Sequence, residues 1–286
     1  DVEGGGIVTV EGGEDPEQYV YAVRWTPNSS ELLFNRTNRH QNVLEVMAAD
    51  PTTGATRVVV EERQETWQRN RPEMRFLEDD RRFIWETEKS GWKRYELRDL
   101  DGSLINPLTG TTDPTSEAPT ESIVKIDEDA GVLWFTMRNS ETPTNAQLHR
   151  VNLDGTDERR ITSVDLNHGS FQIAPDGRTV AAMRQAVDHA PETALYDEDG
   201  REIAVLATGD VSGLAKGGFH GGELIRFTAA DGTTPLQAVL HLPAGADLGS
   251  VAKYPLVVDV YGGPESRGPS NTWSPANALC ELGFAV

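Results

Sequence analysis

The chain has 286 residues, 37% of them hydrophobic, with 46 acidic against 26 basic side chains, a net charge of −20, and one cysteine. That length allows one large domain or two ordinary ones with a sizeable core. The acidic field opposes a grip on nucleic-acid phosphates, while a lone Cys280 without Cys/His ligand clusters argues against a disulfide framework or structural metal.

In chain order, the first signal is a repeat. Segments starting near Tyr19, Arg71, Glu121 and Asn167 each carry an apolar stretch, an acidic or Asn turn, a second stretch, a loop and a later Asp/Gly turn. The first turns centre on Asn28, Asp79, Asp129 and Asp176, about 50 residues apart; the later ones are Asp50 to Gly54, Asp101-Gly102, Asp154-Gly155 and Asp199-Gly200. Between them lie short runs such as Tyr19–Val23, Glu31–Phe34, Phe83–Trp85, Gly131–Phe135 and Gln147–Val151. Aromatic and branched residues bounded by such turns predict strands and hairpins. Four strands per repeat of this size predict β-propeller blades, which stack because one blade cannot bury both its faces. A large β-sandwich is the alternative, and four blades are too few for most closed propellers.

Beyond Gly209 the repeat stops, and Gly213, Gly217-Gly218 and Gly221-Gly222 predict a connector near residues 210–220. The expected division is a partial propeller over 1–212 and the start of a second domain over 213–286. Glu223–Phe227, Asp231-Gly232 and Leu236–Leu242 predict a hairpin. Tyr254–Val260 then reads as a strand buried on both faces of an α/β sheet, running into Tyr261-Gly262-Gly263-Pro264. No apolar run reaches the roughly 18 to 20 residues of a membrane span, and Asp1–Gly4 has no secretion pattern. Both ends are expected to be cuts, since Gly283–Val286 falls in mid-pattern.

The Tyr-Gly-Gly-Pro turn is the clearest candidate for chemistry. Ligands on open α/β sheets gather beyond the carboxyl ends of strands. Gly262 and Gly263 permit close approach and positive φ, Pro264 fixes the exit, and the Tyr261 phenol can donate to a developing oxyanion. A turn whose Tyr merely packs is the alternative.

The chain resembles the dipeptidyl peptidase IV branch of the prolyl oligopeptidase family of serine peptidases. The resemblance rests on Asn35–Leu44 with Met47–Asp50, Thr66-Trp67 leading to Arg71-Pro72, Phe83–Trp85 with Glu88–Trp92, Phe227–Gly232, and Lys253–Pro264, in that order and spacing. It implies part of an eight-bladed β-propeller followed by the first strands of an α/β-hydrolase, in an exopeptidase that removes N-terminal Xaa-Pro or Xaa-Ala dipeptides. Under it Tyr261 matches the oxyanion-hole tyrosine, and Arg71 a propeller arginine that projects toward the substrate pocket. Asn70 stands where the family often has an aromatic. For Arg71 the alternative is a blade-surface arginine in a salt bridge.

A serine hydrolase also needs Gly-x-Ser-x-Gly with later Asp and His, and none is present. Ser270, in Gly268–Thr272, is expected to be a loop residue, and the family's triad lies downstream of Val286. The segment alone is therefore expected to be inactive. Glu61-Glu62 lies on the wrong side of the Asn-Arg segment to be the family's substrate-binding acidic pair and reads as a solvated turn. The six histidines are scattered and give no metal motif, and hydrolysis through an oxyanion hole needs no cofactor. The resemblance further implies peptide substrates with a free N-terminus and a periplasmic or secreted location; relatives in this branch are often homodimers. An acylaminoacyl or oligopeptidase relative, or a non-catalytic propeller that binds a partner, are the alternative functions.

Overall fold

The computed structural model describes residues 6–111, 118–216, 221–246, 253–262, 268–274 and 277–286. Nearly all regular structure there is antiparallel β. The first sheet contains β1 (Tyr19–Trp25), β2 (Leu32–Thr37), β3 (Val43–Ala49) and β4 (Thr56–Arg63). The second contains β5 (Met74–Phe76), β6 (Arg82–Thr87), β7 (Arg94–Asp99) and β8 (Leu104–Pro107). The third has β9 (Thr120–Asp127), β10 (Val132–Arg138), β11 (Ala146–Asn152) and β12 (Arg159–Arg160). The fourth has β13 (Asn167–Ile173), β14 (Thr179–Ala186), β15 (His189–Asp197) and β16 (Glu202–Thr208). Each sheet follows chain order, so every connection is a hairpin, as the turn spacing predicted. These are propeller blades.

The turns form because a short acidic side chain can bond to amides ahead of it. Asp50 Oδ1 accepts from Thr52 N at 2.7 Å, Asp101 Oδ1 from Ser103 N at 2.7 Å, and Asp154 Oδ1 from Thr156 N at 2.9 Å. Asp79 and Asp197 bond likewise to Arg81 N and Arg201 N. Hydrogen bonds lower the carboxyl pKa of all three: the Ser103 and Thr156 hydroxyls first and then these amides for Asp101 and Asp154, and the Thr52 amide first for Asp50. Part of the acidic excess is thus turn-forming carboxylate. The first strands of the first and fourth sheets carry bulges, between Tyr21 and Arg24 and between Gly169 and Gln172, where Ala22 (φ 53) and Ser170 (φ 51) adopt left-handed backbone.

The chain divides into two compact units, one of residues 1–121, 126–133 and 151–158, the other of 122–125, 134–150 and 159–286. In the first unit, Leu33, Leu44, Val46, Ala48, Val59 and Val60 of the first sheet pack with Phe83 and Trp85 of the second into one core, with Phe83 and Trp85 fully buried. Neither sheet buries these side chains alone, which is why the blades stack. In the second unit Ala182, Ala194 and Tyr196 form the core of the fourth sheet with Phe171 against it.

The second unit also holds α1 (Ser212–Lys216) and a two-stranded hairpin of β17 (Glu223–Thr228) and β18 (Pro235–Leu240). The strand expected over Tyr254–Val260 is replaced by irregular chain with one parallel bridge, Leu256 to Ala285, closed by Val257 N to Ala285 O (2.8 Å) and Ala285 N to Pro255 O (2.9 Å). Leu256, Val258 and Val260 are exposed. A strand buried on both faces requires partners and covering helices, and the described residues supply one bridge. Glu61 and Glu62, expected in a solvated turn, end β4 instead. Strand alternation sends Glu62 inward, where it is 4% exposed.

Candidate functional site

The sequence-predicted residues fall on two segments, one in each compact unit. Arg71 lies on the connector of residues 64–73 between β4 and β5. This connector is irregular, yet nearly every residue beside Arg71 is anchored. Gln64 Nε2 donates to Glu88 O (3.0 Å), Gln68 N to Gln41 O (3.1 Å), and Gln68 Nε2 to Glu62 O (3.2 Å). Asn70 spends its whole amide locally: Nδ2 donates to Gln68 O (2.7 Å), Oδ1 accepts from Thr37 Oγ1 (3.0 Å), and its carbonyl accepts from the Tyr21 hydroxyl. Where the resemblance leads one to expect an aromatic, this residue braces the loop.

Beneath the connector sit two buried carboxylates. Glu62 accepts from the Trp85 indole N–H (2.9 Å) and Thr87 Oγ1 (3.1 Å), with Lys89 Nζ at 3.6 Å. Burial raises its pKa against the lowering effect of those partners. Glu86, 2% exposed, pairs with Lys93 Nζ at 2.9 Å and accepts from Glu73 N at 3.3 Å through Oε2, while Oε1 faces Arg69 Nη1 at 3.5 Å. The pocket lined by Leu44, Glu62, Gln68, Arg69, Pro72, Glu86 and Glu88 has a volume of about 10 Å³. That is room for about one water molecule, so a peptide cannot enter from beneath. Arg71 itself is exposed and makes no hydrogen bond or ion pair with the described residues. Its charge is felt by the Tyr21 phenol, whose pKa burial raises and Arg71 lowers.

A larger, open depression of about 550 Å³ in the same unit is bordered by Arg82, Ile105, Asn106, Glu128 and Asp154. None of the predicted site residues lines it.

In the second unit, Tyr261 follows the bridged segment and is 70% exposed. Gly262 is also described, whereas Gly263 and Pro264 lie outside the described residues. Residues 270–273 dock on the sheets of their own unit: Arg138 Nη2 donates to Ser270 Oγ (3.2 Å), Asn271 N to Thr144 O (2.9 Å), Val187 N to Asn271 Oδ1 (2.9 Å), and Trp273 N to Gln185 Oε1 (3.0 Å). Ser270 thus sits in irregular chain and serves as an acceptor for Arg138. Among the described residues no group of His, Cys, Asp and Glu could hold a metal, and no helix is long and apolar enough to cross a membrane. His168 is buried and satisfied, with Nδ1 3.0 Å from Leu166 O and Nε2 3.3 Å from Tyr196 Oη.

Sequence reasoning missed Glu86, Lys93 and the anchoring role of Asn70. The one local hint of Glu86 is that it directly follows the apolar run Phe83-Ile84-Trp85, with Lys93 just ahead of the next strand.

Residues 1–190 match the family model of the dipeptidyl peptidase IV (DPP IV) N-terminal region. The chain is 25% identical over 287 aligned residues to a probable dipeptidyl-aminopeptidase B of Emericella nidulans, covering 93% of this chain and 31% of that protein. In fold it is similar to a candidate dipeptidyl aminopeptidase IV from Bacteroides ovatus, with a TM-score of 0.76 and 20% identity over 96% of this chain and 41% of that one. Porphyromonas gingivalis dipeptidyl peptidase 4 gives a TM-score of 0.74 at 16% identity, over 98% of this chain and 38% of that one. The chain therefore spans about a third of the curated relative's length. With four consecutive blades and a family match over residues 1–190, it belongs to the family of the dipeptidyl peptidase IV N-terminal region.

Proposed function

We propose that this chain is part of a serine exopeptidase that releases Xaa-Pro or Xaa-Ala dipeptides from peptides with a free N-terminus. The observation that carries the reading is Arg71: an exposed guanidinium without an ion pair among the described residues, on a connector held from both sides, within the family-matched region. An arginine with free donors and a fixed base is suited to grip peptide carbonyls or a carboxylate. Holding the base in advance reduces the ordering cost of binding.

Tyr261 is the second element of the proposal. Its phenol donates a hydrogen bond to the oxyanion that forms when the nucleophile attacks the scissile carbonyl. Such a donor acts on charge that develops in the transition state, so it lowers the barrier rather than tightening substrate binding. The parallel bridge from Leu256 to Ala285 supports an α/β-hydrolase beginning here. The nucleophile, its base and its orienting acid come from outside this chain in this account, and residues 1–286 alone do not hydrolyse peptides. The resemblance to this branch supports a periplasmic or secreted enzyme and a homodimer of the full-length protein.

The test is to incubate the purified full-length protein with Xaa-Pro-led and Xaa-Ala-led peptides, each free and N-acetylated, and follow products by mass spectrometry. Dipeptide release from the free peptides alone supports the proposal. Cleavage of the acetylated peptides points to an acylaminoacyl or oligopeptidase type, and no cleavage of either to a propeller that only binds.

A further inference from the structure

We propose that Glu86 is a positioning residue, fixing the backbone on both sides of Arg71 so that its guanidinium is presented in one place. This rests on the reading of Arg71 as a substrate-binding group. The carboxylate reaches both flanks of Arg71 at once: Arg69 Nη1 lies 3.5 Å from Oε1, and Glu73 N donates to Oε2 at 3.3 Å. The reciprocal bond from Glu86 N to Glu73 O (2.9 Å) ties the same point to β6. The neighbouring Glu88 carboxylate takes Arg69 N at 3.3 Å.

A carboxylate 2% exposed is costly to bury unless its charge is met. Lys93, itself 9% exposed, meets it at 2.9 Å and is in turn fixed by donating to Glu121 O at 2.7 Å. The Tyr95 ring lies 5.7 Å from Lys93 Nζ, and the Tyr95 hydroxyl donates to Glu73 Oε2 at 3.4 Å. The blade thus offers a buried anion whose position is set by Lys93 and whose second oxygen has no hydrogen bond among the described residues, facing Arg69. A blade strand needs no such anion for packing, since an apolar residue at this buried position would pack with less desolvation. Tethering the connector is a use that explains both oxygens.

The experiment uses the full-length protein with Xaa-Pro substrates and three variants, Glu86→Gln, Arg69→Gln and Arg71→Ala, together with the double variant Arg69→Gln/Arg71→Ala. Arg69→Gln leaves the Glu86–Lys93 pair intact, so no buried cation is stranded, and it serves where Glu86→Gln fails to fold. Kinetics are read with amide hydrogen exchange over residues 69–73. The expected result is faster exchange and a KM raised about 3- to 10-fold with kcat unchanged in the clamp variants, and no further rise when Arg69→Gln is added to Arg71→Ala. If Arg71→Ala raises KM while Arg69→Gln loosens exchange without touching KM, the positioning role is overturned and the reading of Arg71 stands. If Arg71→Ala leaves KM unchanged, the reading of Arg71 falls and the positioning role falls with it. Unchanged exchange in a folded clamp variant overturns the clamp itself.

Discussion

Gly102, in the turn after β7, faces the carbonyl oxygen of Val59 on the neighbouring sheet so closely that a Cβ at residue 102 would stand 1.7 Å from it. Its φ is +97°, a conformation that side chains disfavour. The equivalent turn glycines repeat the relationship. A Cβ at residue 54 would stand 2.0 Å from Thr9 O, one at 155 2.5 Å from Pro107 O, and one at 200 2.0 Å from Ile161 O. The Asp-Gly turn therefore has two tasks, closing its own hairpin and letting the backbone of the preceding segment pass.

Gly102→Ala is expected to lower stability by about 2 to 4 kcal/mol, because positive φ strain adds to a clash with backbone that cannot rotate away. Gly91→Ala is the control: its φ is +85°, but nothing lies within 4 Å of its Cβ, so only the strain of about 1 kcal/mol applies. Denaturant unfolding of the two variants checks this, and equal losses would show that the close approach is without consequence.

Glu62 couples the two blades of the first unit through Trp85. Its folded pKa is raised, so the stability it contributes is fully present below the ordinary glutamate pKa and is lost as pH rises through the folded value. Glu62→Gln removes that loss. Relative to the parent protein, the variant should gain stability as pH is raised from about 4.5, the ordinary value. Thermal midpoints measured across pH decide it, and a constant difference between the two proteins contradicts the assignment.

His168 gives the opposite slope. Burial first, and the Arg184 charge second, lower its pKa from 6.5 to about 4, outweighing the bond to Leu166 O. Stability from keeping it neutral is present above pH 6.5 and is lost as pH falls through about 4, amounting to about 3 kcal/mol at most. His168→Gln should flatten that part of the acid limb, as read by unfolding midpoints between pH 4 and 7.

Much of the fold was legible because its signals are local. An Asp or Asn with Gly between β-rich runs specifies a hairpin without reference to the rest of the chain, and each such turn falls between the strands it predicted. What was misread depends on distant partners. Glu62 resembled a solvated acid because Trp85, which satisfies it, lies 23 residues further on. Tyr254–Val260 has the composition of a doubly buried strand, but burial is decided by elements packed on either face. At the candidate site, the resemblance pointed to Arg71 and Tyr261, whereas the carboxylates beneath Arg71 left at most a hint in the sequence. A buried charge becomes visible only when Lys93 and Arg69 are brought to it.

If this chain supplies groups to peptide-bond hydrolysis, as proposed, a single substitution in the full-length protein, Tyr261→Phe, reveals it. Losing an oxyanion donor should lower kcat on an Xaa-Pro substrate by about 100-fold or more, with KM little changed and the fold intact by circular dichroism. A kcat equal to that of the unaltered protein would mean that Tyr261 takes no part in hydrolysis.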